Sequence, residues 1–299
     1  TKAHIVIAGS GLAGIAVAHR LKGLLDGARI TLIDAKEEHN YQPGYTLVAT
    51  GVWPVDKVIE RNADLQPAGV EWVRDMVTAF DPAANAVVTA RGQRIAYDYL
   101  VVAVGTHQDW ERIEGMDLKA IGHNGLTSVY PSAAAAAATW AEMDRFRQKG
   151  GQAVMTLPAT PIKCAGAPLK MTFMVRDRLA QAGTLAQSQV DFYSSLPSVF
   201  GVKAVNDNVL QRWQALGVGV QFTQSLQAID IGARRDSFVR PDGTRSEVPY
   251  DFLHVAPPMR APDAVKNSDL AWKEGPMAAG GWLEVDKSTL QHRRYPNVF

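Results

Sequence analysis

Short apolar runs, each closed by glycine, proline or an acidic turn, alternate along this chain with longer segments of helical periodicity. Residues 4–8, His-Ile-Val-Ile-Ala, predict a buried strand. Residues 15–25 carry apolar positions at helical spacing, and 29–34 (Arg-Ile-Thr-Leu-Ile-Asp) predict a second strand, so a βαβ unit opens the chain. Turn signals follow at Gln66-Pro67-Ala68-Gly69 and Phe80-Asp81-Pro82. Residues 86–89 and 94–97 predict a hairpin, and 99–104 a buried strand ending at Gly105-Thr106. The Ala-rich stretch 132–147 predicts a helix on propensity alone. A second α/β series starts at Gln152: strand 152–157, helix 169–182, strand 191–193, helix 208–216, strand 218–222. A hairpin closes at Asp242-Gly243, and strand 252–256 stops at Pro257-Pro258. The fold class expected is α/β, with two related Rossmann-like halves. Their expected bounds are 1–148, 149–256, and a return of 257–299 to the first domain.

The turn between the first strand and helix reads Gly9-Ser10-Gly11-Leu12-Ala13-Gly14, and Asp34 lies twenty positions beyond Gly14. A glycine triplet alone is weak evidence. Strand before, helix after and an acid at this distance make it a dinucleotide fingerprint. Gly9 permits the tight turn, Gly11 lets backbone approach a pyrophosphate, and Gly14 allows close helix–strand packing. Asp34 can accept from a ribose hydroxyl. The pattern does not separate FAD from NAD. The second half supplies that distinction, because the turn after residue 157 carries Pro158, Pro161 and Pro168 where a second glycine fingerprint would stand. Prolines remove N–H donors that a pyrophosphate needs. That half is expected to bind a nicotinamide dinucleotide poorly, leaving FAD to the first.

Composition narrows the class. Hydrophobic residues are 46% and charged residues 20% of 299, so a packed core is expected rather than disorder. The net charge of +1 gives no reason to expect a nucleic-acid surface. No apolar run reaches the roughly 18–20 residues of a membrane span, and no signal peptide is visible. A single cysteine, Cys164, excludes an intrachain disulfide and a cysteine-based zinc site within this sequence. It sits in Thr160-Pro161-Ile162-Lys163-Cys164-Ala165-Gly166-Ala167-Pro168, between a predicted strand and a predicted helix. The helix N-terminus and the Lys163 cation are both expected to favour a thiolate there. His107 and His254 are the histidines nearest the motifs, and packing or surface roles are expected for them.

Five segments resemble the sulfide:quinone oxidoreductases of the two-dinucleotide-domain flavoprotein superfamily. They are residues 41–49 beginning Tyr41-Gln42-Pro43, the 161–168 turn, Phe200-Gly201-Val202-Lys203, Leu253-His254-Val255-Ala256-Pro257-Pro258-Met259, and 290–299. The likeness extends over essentially the whole chain. It is nearest the branch of mitochondrial and related bacterial enzymes. It implies a glutathione-reductase-like FAD/NAD(P)-binding fold and oxidation of sulfide to sulfane sulfur or polysulfide. In the activity it implies, Cys164 is the sulfur-carrying thiol with Lys163 beside it, and electrons pass through FAD to a ubiquinone-type quinone. Cofactor contacts are implied for Gly9, Ser10, Gly11, Leu12, Ala13, Gly14, Asp34, Ala35, Lys36, Gln42, Pro43, Val77, Gly105 and Thr106, with no metal. Pro257-Pro258-Met259 is placed near the active-site face. The partners implied are a sulfane-sulfur acceptor and a membrane surface, as a peripheral protein of the bacterial cytoplasmic or mitochondrial inner membrane; homo-oligomerisation stays open. The resemblance also places a Gly-Asp turn with a second redox cysteine, and membrane-facing helices, beyond Phe299. Relatives of other branches carry a further cysteine within the stretch that here reads 125–130, Gly-Leu-Thr-Ser-Val-Tyr. Rival readings are a sulfide dehydrogenase donating to a cytochrome, a type II NADH:quinone oxidoreductase, and a non-catalytic flavin-binding module.

Overall fold

In a computed structural model, which describes residues 2–299, the chain forms two compact units. The first comprises residues up to Asn40, Ile59–His107 and Arg260–Phe299. Its centre is a parallel sheet in the order Glu71–Val73, Arg29–Ile33, His4–Ala8, Tyr99–Val102. The runs of Ile, Val and Leu in these strands have both faces covered, as a parallel sheet requires. Residues 297–299 continue the sheet beside Tyr99–Val102, where the Leu100 and Val102 N–H groups donate to the Asn297 and Phe299 carbonyls at 2.9 and 2.8 Å. One face carries the helix Leu12–Leu24. The other packs on a cluster that includes Val6, Phe80, Val87, Leu100, Leu270 and Val298. The expected hairpin forms between Ala86–Thr89 and Arg94–Ala96, with Val77–Asp81 added as a third antiparallel strand.

The second unit comprises Tyr41–Val58 and Gln108–Met259. Its parallel sheet runs Leu126–Thr127, Phe252–His254, Gln152–Leu157, Gln189–Ser194, Gly219–Gln221. Helix Ala133–Lys149 starts where the Ser132 side chain accepts the Ala135 N–H at 3.1 Å. Helix Ala167–Ala182 buries Pro168, Met171, Thr172, Val175 and Leu179, a stripe at helical spacing. Helix Lys203–Leu216 buries Trp213 completely, with the Phe192 ring 4.8 Å and the Phe173 ring 5.7 Å away. The predicted hairpin at Asp242-Gly243 joins Arg235–Val239 to Arg245–Pro249, and Ser225–Asp230 completes a three-stranded antiparallel sheet.

The expected boundary at 148 falls at His107 instead, and the return comes at Arg260 rather than 257. Strand Leu126–Thr127 pairs in parallel with Phe252–His254, and helix Ala133–Lys149 packs against both. Pairing with a strand more than a hundred residues away decides which unit 108–148 joins. The short helix Tyr45–Val48 packs on Ala133–Lys149 and Ala167–Ala182, so 41–58 also belongs to the second unit rather than to the first.

Candidate active site

The fingerprint lies at the C-terminal edge of the first unit's sheet, where ligands of open α/β sheets bind. Gly9 has φ +103°, and a Cβ there would overlap the Ala103 carbonyl. A Cβ on Gly14 would overlap the Gly9 carbonyl oxygen, so helix and turn touch through backbone alone. Around Gly11 the space is open: a Cβ there would meet nothing within 4 Å. Leu12 is exposed, and the first-turn N–H groups of its helix point to a ready anion site. Asp34 locks this turn. One carboxylate oxygen accepts the Ser10 N–H at 2.7 Å and the other the Lys36 N–H at 2.9 Å. Each oxygen keeps a second lone pair for a ribose hydroxyl.

Asn62 is the hub of this region, although no sequence signal marks it. It is buried, and its side-chain N–H₂ donates to Ser10 Oγ and, at 2.9 Å, to the Lys36 carbonyl. It comes from a short helical turn between sheet strands, and a lone Asn in a polar stretch carries no spacing to flag it. Ala35 and Lys36 are exposed beside Asp34, and Gly105 and Thr106 follow the strand Tyr99–Val102. Val77 opens the strand Val77–Asp81 of the antiparallel sheet and packs on the core cluster that also contains Ala8, the residue before Gly9. His107 is half-buried.

The cysteine turn lies at the corresponding edge of the second unit's sheet, between strand Gln152–Leu157 and helix Ala167–Ala182. Cys164 is exposed and adopts φ +53°, a left-handed backbone that a residue with a Cβ avoids. Several contacts hold the turn in place. The Cys164 carbonyl accepts the Ala167 N–H at 2.8 Å and the Tyr130 hydroxyl at 3.3 Å. The Lys163 N–H donates to Met259 Sδ at 3.3 Å, and the Met259 N–H donates to Thr160 Oγ1 at 2.9 Å. Lys163 Nζ donates to Gln42 Oε1 at 2.8 Å. The structure thus brings Gln42, Lys163, Cys164 and Met259 together, and Pro43 sits exposed in the short turn Gln42–Gly44. Thr160 opens the cysteine segment read from the sequence, but no motif assigns a role to Tyr130. Tyr130 reaches the turn from 34 residues away, a separation no local pattern encodes.

Burial first, and the neighbouring Cys164 second, hold the Tyr130 phenol well above its ordinary range, so it remains a donor. His254 is wholly buried in its strand, where its Nε2 accepts the Val129 N–H at 3.3 Å; this is the packing role expected of it. Beside the turn, Arg112, Thr156, Thr160, Ser195 and Gln227 help line a cavity of about 300 Å³. Pro158 and Ala159 also face it, in the position where a glycine fingerprint would present N–H groups to a pyrophosphate. Among the described residues no helix is long and apolar enough to cross a membrane.

A family model described as pyridine nucleotide-disulphide oxidoreductase matches residues 3–153. The mitochondrial sulfide:quinone oxidoreductase of Dictyostelium discoideum is 37% identical over 299 residues, covering 99% of this chain. That of Schizosaccharomyces pombe is 32% identical over 316 residues, covering 99% of this chain and 67% of the relative. The chain spans 64% of the length of the Dictyostelium relative. Among solved structures, the sulfide:quinone oxidoreductase of Aquifex aeolicus superimposes with a TM-score of 0.82 at 24% identity, over 100% of this chain and 67% of that one.

Proposed function

Since this chain belongs to the sulfide:quinone oxidoreductases, within the pyridine nucleotide-disulphide oxidoreductase family, we propose that it takes part in FAD-dependent oxidation of sulfide at Cys164, with a quinone as the final electron acceptor. The cofactor of this family is FAD. The open approach at Gly11, the exposed first turn of the helix behind it and the spare lone pairs of Asp34 fit the pyrophosphate and ribose of that cofactor. Gly9 to Gly14, Asp34, Ala35, Lys36, Gly105 and Thr106 are the residues assigned to hold it, with Gln42, Pro43 and Val77 as further contacts.

The observation that carries the reading is the single exposed thiol fixed on the turn where a second dinucleotide fingerprint would stand. Joining hydrosulfide to the Cys164 thiolate forms one S–S bond and releases one proton and two electrons. Bound FAD would supply the two-electron acceptor. The chain's own part is to display the sulfur, and Lys163 adds a positive charge beside the anionic substrate and persulfide. The sulfane sulfur then leaves to an acceptor of nucleophilic character. Attachment to the surface of a bacterial or mitochondrial membrane goes with a quinone acceptor and is part of the same proposal.

Anaerobic titration tests it. Sulfide, and not NADH, should bleach the flavin of the holoprotein, and decylubiquinone should restore the colour. Cys164→Ala should lose the sulfide response while retaining flavin. Bleaching by sulfide that persists in this variant would sink the assignment of Cys164, and bleaching by NADH would point to the NADH:quinone reading.

A further inference from the structure

We propose that Tyr130 is the positioning residue for Cys164: its buried hydroxyl holds the Cys164 carbonyl, keeps the cysteine in left-handed backbone and so keeps the thiol displayed to solvent. The inference rests on the reading of Cys164 as the reacting group.

The backbone comes first. A residue with a Cβ populates the left-handed region less than the right-handed one by roughly five- to thirtyfold. Cys164 at φ +53° therefore needs something to hold it. Two donors converge on its carbonyl oxygen. The Ala167 N–H, at 2.8 Å, belongs to the same turn and moves with it. The Tyr130 hydroxyl, at 3.3 Å, comes from outside the turn.

Tyr130 is itself anchored to the sheet. Its N–H donates to Ser128 Oγ at 3.2 Å, and that hydroxyl donates to the Val255 carbonyl at 2.7 Å. Its carbonyl accepts the Gln108 side-chain N–H at 2.9 Å. Its ring lies 6.3 Å from the buried His254 ring, and the residue is 3% exposed. The phenol is thus a fixed donor on a rigid element, and it holds the Cys164 carbonyl in the direction that the left-handed turn gives it. With that donor gone, relaxation towards right-handed backbone would redirect the Cα–Cβ bond and withdraw the sulfur.

The chain has one cysteine, so a thiol reagent reports on Cys164 alone. Alkylation by iodoacetamide would be timed at fixed pH for the parent, Tyr130→Phe and Tyr130→Leu holoproteins, alongside amide exchange of the 164–168 segment. Tyr130→Phe keeps the ring and should melt within about 2 °C of the parent. It should nevertheless alkylate at least about fivefold more slowly, and Ala167 should exchange at least about fivefold faster. Tyr130→Leu should slow alkylation at least as much. Alkylation of Tyr130→Phe within about twofold of the parent would overturn the proposal, and slowing confined to Tyr130→Leu would assign the effect to ring packing instead. These readouts do not use sulfide. A parent flavin that sulfide fails to bleach would sink the functional reading and leave the Tyr130 result to be judged by itself.

Discussion

Acid should act on the second unit through two buried groups of opposite sign, His254 and Asp236. His254 lies in the strand Phe252–His254 with no exposed surface. Its Nε2 accepts the Val129 N–H, which places the proton on Nδ1, and Nδ1 meets no hydrogen-bond partner among the described residues. Burial lowers its pKa from 6.5 to about 3. Between those values the unfolded chain binds a proton that the folded chain refuses. The stability held by the neutral imidazole is therefore fully present above pH 6.5 and is lost as the pH falls towards 3. The full difference is roughly 5 kcal/mol, at a slope of up to about 1.4 kcal/mol per pH unit. That is comparable with the whole net stability of many domains.

Asp236 is equally buried, neither carboxyl oxygen meets a partner among the described residues, and burial holds it well above its ordinary 3.8. Here the folded chain keeps a proton that the unfolded chain releases, so its contribution declines as the pH rises above about 4. Where both groups titrate the two slopes oppose each other, so the parent should vary less with pH than either variant. Urea midpoints measured from about pH 4.5 to 7.5 would separate them. Asp236→Asn should lose about 1 kcal/mol for each unit of acidification, because only the histidine slope remains. His254→Gln should gain stability over the same range. If both variants run parallel to the parent, the buried groups do not titrate as their surroundings require and the reasoning fails.

Two further predictions concern the glycine turn and the core. Gly11→Ala should leave the melting temperature of the apoprotein unchanged and reduce flavin occupancy, since its Cβ would meet no protein atom and would stand in the open space proposed for the flavin pyrophosphate. Gly14→Ala should lower both, because its Cβ collides with the Gly9 carbonyl; absorbance of bound flavin and a thermal melt distinguish the two, and equal behaviour would refute the separation. Trp213→Ala removes a wholly buried indole packed on Phe192 and Phe173 and should cost about 3–5 kcal/mol in urea unfolding, with a loss below about 1 kcal/mol refuting the packing account.

Much of the site is legible in the chain itself. The apolar pattern predicts the strand at 152–157 at its observed bounds, the hairpin strand 86–89 likewise and, within three residues, the Ala-rich helix. Such elements are specified by local rules: short, mostly apolar runs, helix propensity and turn residues. Gly9, Gly11, Gly14 and Asp34 are equally visible, because a phosphate-binding turn needs small residues and an acid at fixed offsets. Helix Lys203–Leu216 is predicted five residues short, since its first turn has few buried positions to mark it.

Local sequence determined that there would be two parallel α/β sheets, a dinucleotide turn on the first, and a proline-rich turn with one thiol on the second. Tertiary structure decided what surrounds that thiol and what braces the dinucleotide turn. Cys164 is held in left-handed backbone with the Tyr130 hydroxyl on its carbonyl, and the Met259 sulfur accepts the Lys163 N–H. Asn62 sits under Ser10 in the same way, joining residues far apart in the chain. The assignment of 41–58 and 108–148 to the second unit is of the same kind. Periodicity records which face of an element is buried. It does not record which distant side chain will meet a given carbonyl, because that is fixed only when the sheets have paired and the packed side chains have left one place for each polar group.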